Sequence, residues 1–287
     1  DYQNAVSYYR AALEGRGGSG NATRRTALQL ALAELYYKLK KWADASDVLN
    51  EALEKKREEA AAAKNGSGGT GGGRGGNVAL RSLVEDVSLL LLLAKVCFGS
   101  EDHTQAIEVL QRARLVQNKV LSQMGSRADA GKQREQRQIA AMIRFKIGDF
   151  FRVSGDDKKA VEFFAEALKY DDTHEKSLLA LAQASLDGGD TAGCEQHCAT
   201  LLRIGPANTN ASMMLADAMF RKSELDAALY HFRQLLDDRP ANFTVLSRMI
   251  SVLWRAGRLE EAKACLDRAR RAAPREVDSA GFNYCQG

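Results

Sequence analysis

Three prolines, Pro206, Pro240 and Pro274, recur at one constant interval in this chain of 287 residues. The tripeptide Pro-Ala-Asn also recurs, at 206–208 and 240–242. Because proline is excluded from helix interiors, a constant interval between prolines indicates helical units of constant length. A period of about 34 residues, as here, is typical of stacked helical repeats, in which each unit buries its apolar face against its neighbours.

Small and apolar residues follow the same interval. An anchor residue, Ala or Cys, is followed four positions later by an aromatic or aliphatic residue or Cys, as in Ala228 and Phe232. The seven anchors are Ala5, Ala45, Ala106, Ala160, Cys194, Ala228 and Ala262. A second position lies twelve residues before six of these anchors. It holds a small residue at Ala33, Ala94, Gly148, Ala182 and Ala216, and the exception is Ile250. The spacing predicts two helices per unit, with small residues where the two backbones approach closely.

This pattern resembles the tetratricopeptide repeat, a helix pair of about 34 residues with Leu-Gly-x-x-Tyr, Ala-x-x-x-Phe and Pro positions. The resemblance implies an all-α fold, a right-handed tetratricopeptide-repeat (TPR) α-solenoid. Residues 1–287 are predicted to be one continuous solenoid segment cut from a longer chain. Its predicted parts are a second helix at 1–14, six repeats at 26–59, 87–120, 141–174, 175–208, 209–242 and 243–276, and a partial first helix at 280–287.

The upstream anchors are more widely spaced than this period. All three gaps between Ala5, Ala45, Ala106 and Ala160 exceed it, and the gap after Ala45 is the longest. Each excess falls between the second helix of one unit and the first helix of the next. The largest contains a glycine-rich insertion, 65–77, whose composition predicts flexibility. The third, 121–140, is predicted to form two helical extensions, the first running from Thr104 to Met124.

Composition excludes several classes of protein. The net charge of +4 is too small to indicate a nucleic-acid or membrane partner by itself. No apolar run approaches the roughly 20 residues that a membrane span requires. The first residues do not resemble a signal peptide, and the five cysteines lack the spacing of a disulfide framework. We therefore expect a reducing compartment.

No motif of an enzyme or cofactor site stands out. Cys194, His197 and Cys198 invite a zinc interpretation, but both cysteines occupy helix-packing positions and no second pair lies nearby, so packing is favoured. The run 68–76 resembles a phosphate loop only superficially, because its flanks are helical and no Lys follows. Nucleophile and metalloprotease motifs are missing. We therefore predict a protein that is not an enzyme and has no cofactor, metal or small-molecule substrate.

Two stretches, 112–137 and 255–275, are rich in Arg and Lys. A solvated helix face, a surface for a protein partner and a nucleic-acid site are all consistent with such runs. Aromatic residues are not interleaved with the stretch 112–137, which disfavours a stacking platform for bases.

The TPR resemblance also implies a groove lined by positions 2, 5, 9, 12 and 13 of each first helix. The candidate protein-binding residues by this alignment are Met213, Asp217, Phe220, Arg221, Trp254 and Arg255. Aromatic residues with Arg are typical of protein interfaces. Packing between neighbouring parts of the solenoid would account for the same residues, and the sequence leaves both alternatives open. The Lys/Asn/Arg clamp of chaperone-binding TPR proteins is missing, since the matching positions include Leu30, Leu91 and Phe145.

Three segments, 212–222, 242–250 and 281–287, are similar to the tetratricopeptide repeat protein 21 family, the large all-repeat subunit of intraflagellar transport complex A. This resemblance covers residues 175–287; upstream, only the repeat pattern supports it. It implies a scaffold for retrograde ciliary transport and cargo import, located in the cilium or flagellum, basal body and cytoplasm. The implied partners are other complex A subunits and neighbouring complexes in the transport train, with any membrane contact made indirectly. The alternative is a generic peptide-binding TPR adaptor in another cytoplasmic assembly.

Overall fold

The computed structural model describes residues 2–14, 22–66, 74–124, 129–238 and 242–272, and the regular secondary structure in these ranges is α-helical throughout. The helices are α1 Tyr2–Glu14, α2 Ala22–Lys38, α3 Trp42–Gly66, α4 Arg74–Gly99, α5 His103–Gln123, α6 Ala130–Val153, α7 Asp157–Tyr170, α8 Glu175–Asp187, α9 Thr191–Ile204, α10 Thr209–Arg221, α11 Leu225–Asp238, α12 Phe243–Arg255 and α13 Leu259–Ala272. Among the described helices, none has the length and apolar character needed to cross a bilayer.

The chain divides into two compact units, Asp1–Asp156 with α1 to α6 and Asp157–Gly287 with α7 to α13. Within each unit, helices adjacent in the sequence pack against one another. Alternate helices also touch, α2 with α4 in the first unit and α8 with α10 in the second. This combination is typical of helix pairs stacked so that first helices line up beside one another.

Six short turns in the described ranges join the first helix of a pair to the second, and they share one backbone geometry. Each contains a residue with positive φ, between 57° and 82°, at Lys40, Glu101, Gly155, Gly189, Ser223 and Gly257. The next residue donates its backbone N–H to a carbonyl five residues earlier, at 2.8 to 3.0 Å, as Asp190 does to Ser185. This is the Schellman motif, in which a left-handed residue ends the helix. Each left-handed residue lies five positions before one of the sequence anchors. The turns therefore recur along the chain at the same intervals as those anchors.

The predicted small residues form the core. Ala33, Ala45, Ala106, Ala182 and Ala216 each have 0 % of their surface exposed. Large side chains fill the space beside these close approaches, among them Tyr36, Leu49, Leu110, Phe164 and Phe232, each 0 to 1 % exposed. Such close packing leaves no room for an added methylene group at the alanine positions. Ile250, the exception in the pattern, is half-buried.

Helices extend further into the insertions than the repeat boundaries suggest. Helix α3 continues to Gly66 and α4 begins at Arg74, so the helices include both ends of the insertion predicted as flexible, 65–77. Its middle, 67–73, lies outside the described residues, as does the predicted partial helix 280–287. Cross-helix ion pairs stabilise these extensions, because the Lys56 ammonium on α3 lies 3.0 Å from carboxylates of α4.

The extensions predicted at 121–140 are present on both sides of residues 125–128, which are not among those described. Helix α5 ends at Gln123 and α6 begins at Ala130. A buried amide pair joins the two helices, since Gln117 Nε2 donates to the backbone oxygen of Gln136 at 2.8 Å and to its Oε1 at 3.1 Å. Arg144, fully buried, also donates to Asn118 Oδ1 at 2.8 Å. These polar contacts hold α6 against the second half of α5.

Candidate functional site

The groove predicted from the sequence lies in the second unit, on the first helices α8, α10 and α12. Phe220 and Arg221 close α10, and Trp254 and Arg255 close α12 at the equivalent positions of the next repeat. Phe220 is half-buried and packs against the apolar cluster between α10 and α13. Trp254 is 73 % exposed, which makes it a large apolar side chain open to solvent.

The two arginines at the ends of these helices reach back to the preceding repeat. Arg221 Nη1 donates to the carbonyl oxygen of Leu186, in the last turn of α8. The guanidinium carbon of Arg255 lies 5.1 Å from the ring centroid of Phe220, a cation–π distance. Each Arg therefore contacts position 12 of the repeat before it. A cation beside the carboxyl end of a helix is also favoured by the helix dipole.

The remaining candidate residues make contacts within the unit as well. The carboxylate of Asp217 on α10 forms an ion pair with Arg248 on α12, and its side chain is 19 % exposed. Met213 packs against the same apolar cluster as Phe220. Packing between repeats therefore accounts for Met213, Asp217, Phe220 and both arginines. Binding of a partner through these residues stays a prediction, and Trp254 is the member whose exposure fits that role best.

Sequence reasoning did not identify Arg248 or the carbonyl of Leu186 as parts of this surface. Both partners depend on which residues of successive repeats face each other, and the repeat pattern defines that only for the small anchor positions. A usable signal was present: Phe220-Arg221 and Trp254-Arg255 are the same pair of residue types at the same position of adjacent repeats.

The cysteine pair is a packing feature. Cys194 and Cys198 are both 0 % exposed and lie in a cluster with Ala182, Met214 and Ala218. Their sulfur atoms are 3.9 Å apart. The hydrogen bond that its thiol shares with Cys194 as donor, together with burial, raises the pKa of Cys198, so this thiol is protonated at neutral pH. Nowhere in the described ranges do three or more His, Cys, Asp or Glu side chains converge as a metal would require.

The two basic stretches differ in their ion pairing. In the second, Arg258 binds Asp226 and Glu261, at 2.7 and 2.5 Å, and its hydrogen bonds to Glu261 lower the pKa of that carboxyl. In the first, five exposed cations form no ion pair within the described part of α5 and α6. They are Arg112, Lys119, Lys132, Arg134 and Arg137. The second stretch therefore contributes to packing between repeats, whereas the first presents free charge.

Comparison with protein families connects this helical array to known proteins. A family model described as the fourth ARM domain of tetratricopeptide repeat protein 21 matches residues 1–168, and one described as the TT21 fifth ARM repeats domain matches residues 209–287. The resemblance visible in the sequence alone is confined to 175–287. The family models extend it upstream, into the part where interruptions obscure the repeat.

Individual relatives match along the whole chain. Tetratricopeptide repeat protein 21A of Mus musculus is 34 % identical over 290 residues, and protein 21B of Homo sapiens is 34 % identical over 288. Both matches cover 100 % of this chain and 20 % of the relative. The chain thus spans about a fifth of the length of the curated relatives that it matches.

Solved structures share the fold at low sequence identity. The C-terminal part of a TPR repeat-containing protein from Cytophaga hutchinsonii has a TM-score of 0.67 and 13 % identity, covering 99 % of this chain and 94 % of that one. YrrB, described as a TPR protein with an unusual peptide-binding site, has a TM-score of 0.50 and 16 % identity, covering 74 % of this chain and 97 % of its own. The predicted all-α TPR solenoid is confirmed, and this fold is typical of non-catalytic scaffolds. With more than half of its residues matched by one family model, the chain belongs to the tetratricopeptide repeat protein 21 family.

Proposed function

We propose that this chain is a non-enzymatic scaffold segment of the intraflagellar transport A complex. In this role it mediates protein–protein contacts for retrograde ciliary transport and for import of cargo into the cilium. The observation that carries the proposal is the similarity to tetratricopeptide repeat proteins 21A and 21B over the whole chain. Its location is accordingly the cilium or flagellum, the basal body and the cytoplasm.

The proposed partners are other subunits of complex A and neighbouring complexes in the transport train. The repeat fold supports protein partners, because stacked helix pairs present extended surfaces without any catalytic constellation. On the described surface, the exposed Trp254 at the end of α12 is the best anchor for such a contact. Trp is among the residues that contribute most energy to protein interfaces.

The proposal is tested by recovering the bound proteins from ciliated cells that express the tagged chain. We expect complex A subunits among the proteins identified by mass spectrometry. Trp254→Ala should reduce their recovery, while Tyr230→Ala, at an aromatic residue of α11 that is 59 % exposed, serves as the matched control. A tagged chain that localises normally but recovers no complex A subunit would contradict the proposed assembly.

A generic peptide-binding adaptor is the second candidate, favoured by the same exposed Trp254 and consistent with the peptide-binding site named for YrrB. This function predicts binding of a short peptide that is lost in Trp254→Ala, in an assembly without complex A subunits. Recovery from ciliated cells separates the two candidates by the identity of the bound proteins.

A further inference from the structure

A polar cavity lies in the first unit, between the start of α2, the end of the repeat portion of α3 and the extension of α4. Its volume is about 410 Å³. A water molecule occupies about 30 Å³ of liquid, so the cavity is large enough for a substantial part of a peptide. Arg25, Thr26 and Gln29 line it from α2, Lys55 from α3 and Arg81 from α4. Neither the repeat pattern nor the family similarity accounts for it.

Two polar groups on the α2 wall have no hydrogen-bond partner. Gln29 is 5 % exposed, and its side-chain amide forms no hydrogen bond within the described residues. Arg25 Nε is also buried and without a hydrogen-bond partner. The two residues are four positions apart and so lie on the same face of α2. The Gln29 amide and the Arg25 guanidinium therefore keep hydrogen-bonding capacity that a group bound in the cavity can use.

The charges around the cavity identify the kind of group that fits. The carboxylate of Glu51 lies 2.5 Å from the Lys55 ammonium but 3.8 Å from the Arg25 guanidinium. Similarly, Glu85 lies 3.0 Å from Lys56 but 3.6 Å from Arg81. Lys55 therefore holds Glu51, and Lys56 holds one oxygen of Glu85, whose other oxygen, Oε1, is buried without a hydrogen-bond partner. Both guanidiniums stand beyond hydrogen-bond distance of the acids paired with them.

A carboxylate is the complement of such a guanidinium. Its two oxygens can accept in parallel from the two Nη groups of Arg25, a bidentate arrangement for which Arg is suited. Glu59 and Glu85 also line the cavity, and their charge would repel a dianionic phosphate more strongly than a monoanion. Gln29, with both donors and an acceptor, is suited to a backbone amide next to the carboxylate.

We propose that this cavity is a binding site for a peptide carboxylate, with Arg25 as the charged clamp and Gln29 as the backbone contact. The site lies on the first unit, apart from the groove with Trp254, and does not depend on the proposed ciliary role. It gives the repeat array a second recognition element, one that selects partners through a side-chain or C-terminal carboxylate.

An NMR titration of the 287-residue chain tests this site with three acetylated pentapeptides. The first, Gly-Ser-Glu-Ser-Gly amide, supplies a side-chain carboxylate, and the second replaces its Glu by Gln. The third, Gly-Ser-Gly-Ser-Gly with a free C-terminus, supplies a terminal carboxylate. We expect one of the two carboxylate peptides to shift the Gln29 side-chain and Arg25 Nε–H signals with a Kd of about 1 mM or tighter at low salt.

Variants of the site should separate clamp geometry from charge. Arg25→Lys retains the charge but removes the bidentate donors, so we expect a Kd at least about tenfold weaker, a difference of about 1.4 kcal/mol. Arg24→Lys, at the neighbouring exposed position of α2, is the matched control and should bind as the parent chain does. Equal affinity for the Glu and Gln peptides without response to the free C-terminus would overturn the proposal. Binding unaffected by Arg25→Lys, a response to inorganic phosphate alone, or unmoved Gln29 and Arg25 signals would overturn it equally.

Discussion

The start of α8 is capped by a histidine, and this predicts a specific dependence of stability on pH. The equivalent position in the next two repeats holds Asn, at Asn208 and Asn242. In each case the side chain accepts a hydrogen bond from the backbone N–H three residues later, at 3.3 Å for His174, 3.0 Å for Asn208 and 3.3 Å for Asn242. Asn accepts at any ordinary pH, whereas His174 accepts through Nδ1 only while that nitrogen is unprotonated.

The sign of the effect follows from the environment of His174. Burial lowers its pKa below the ordinary value of 6.5, the nearby Lys176 lowers it further, and Asp171 opposes both. Since the unfolded chain then binds the proton more readily than the folded one, the stabilisation is complete above pH 6.5. It is lost as the pH falls from 6.5 through the lower pKa of the folded state.

The size of the loss can be set from the interactions removed. Loss of an N-cap destabilises a helix by about 0.5–2 kcal/mol, and a positive charge at a helix N-terminus adds about 0.3–1 kcal/mol. We therefore expect His174 to account for about 1–2 kcal/mol of the decrease in unfolding free energy between pH 7.5 and 5. Burial also lowers the pKa of His197 and His231, so they contribute with the same sign.

Substitution isolates the share of His174. His174→Asn places at this cap the residue that the next two repeats use. Urea unfolding at pH 7.5 and 5 should show that this variant loses less unfolding free energy on acidification than the parent chain, by about 1 kcal/mol or more. His103→Asn, at an exposed histidine of the first unit, is the control for replacing a histidine by Asn outside this cap. The reasoning fails if His174→Asn retains the full acid loss, or if NMR titration gives His174 a pKa above 6.5.

Three further predictions concern turns, core and surface, each measured by urea unfolding. Ser223→Gly should stabilise the chain by about 0.5–1 kcal/mol, because Ser223 has φ of 67°, and Gly189→Ala, at φ of 80°, should destabilise it by a similar amount. Ala216→Leu should destabilise it by about 1–3 kcal/mol or more, since Ala216 is 0 % exposed. Trp254→Ala should change the unfolding free energy by less than about 0.5 kcal/mol, because Trp254 is mostly exposed. Phe220→Ala should lower it by about 2 kcal/mol, because Phe220 is half-buried against an apolar cluster. Equal effects of the two substitutions would contradict the assignment of Trp254 to the surface.

The repeat architecture could be predicted from the sequence because its determinants are local and periodic. Anchor residues such as Ala106 and Ala228 are fully buried, and the predicted partners of the anchors, such as Phe232, are buried beside them. Small side chains at a fixed interval indicate the close approach of two helix backbones, because such an approach excludes larger side chains. The fold class was therefore within reach of the repeat pattern, whereas the family resemblance depended on the three segments 212–222, 242–250 and 281–287.

The contacts that surround the candidate site could not be predicted in the same way. Arg221 contacts a backbone carbonyl of α8, and Arg248 contacts Asp217 on α10. Both contacts join first helices of adjacent repeats, and their partners depend on the rotation and offset between repeats, which residue spacing does not define. The cavity at Gln29 was missed for a related reason: its walls come from three helices, each of which borders an irregular insertion.

The six left-handed turns have a practical consequence for engineering the molecule. They hold the link inside every helix pair to one length and one hydrogen-bond pattern, whereas the links between pairs range from four residues, as at 205–208, to seven, as at 15–21. A fluorescent domain or a cross-linking tag spliced into a link between pairs would lengthen a connection that already varies. The same insert placed at Gly189 would have to break the hydrogen bond between Asp190 and Ser185 that ends α8. Each helix pair thus has one end that accepts a reporter and one end that does not.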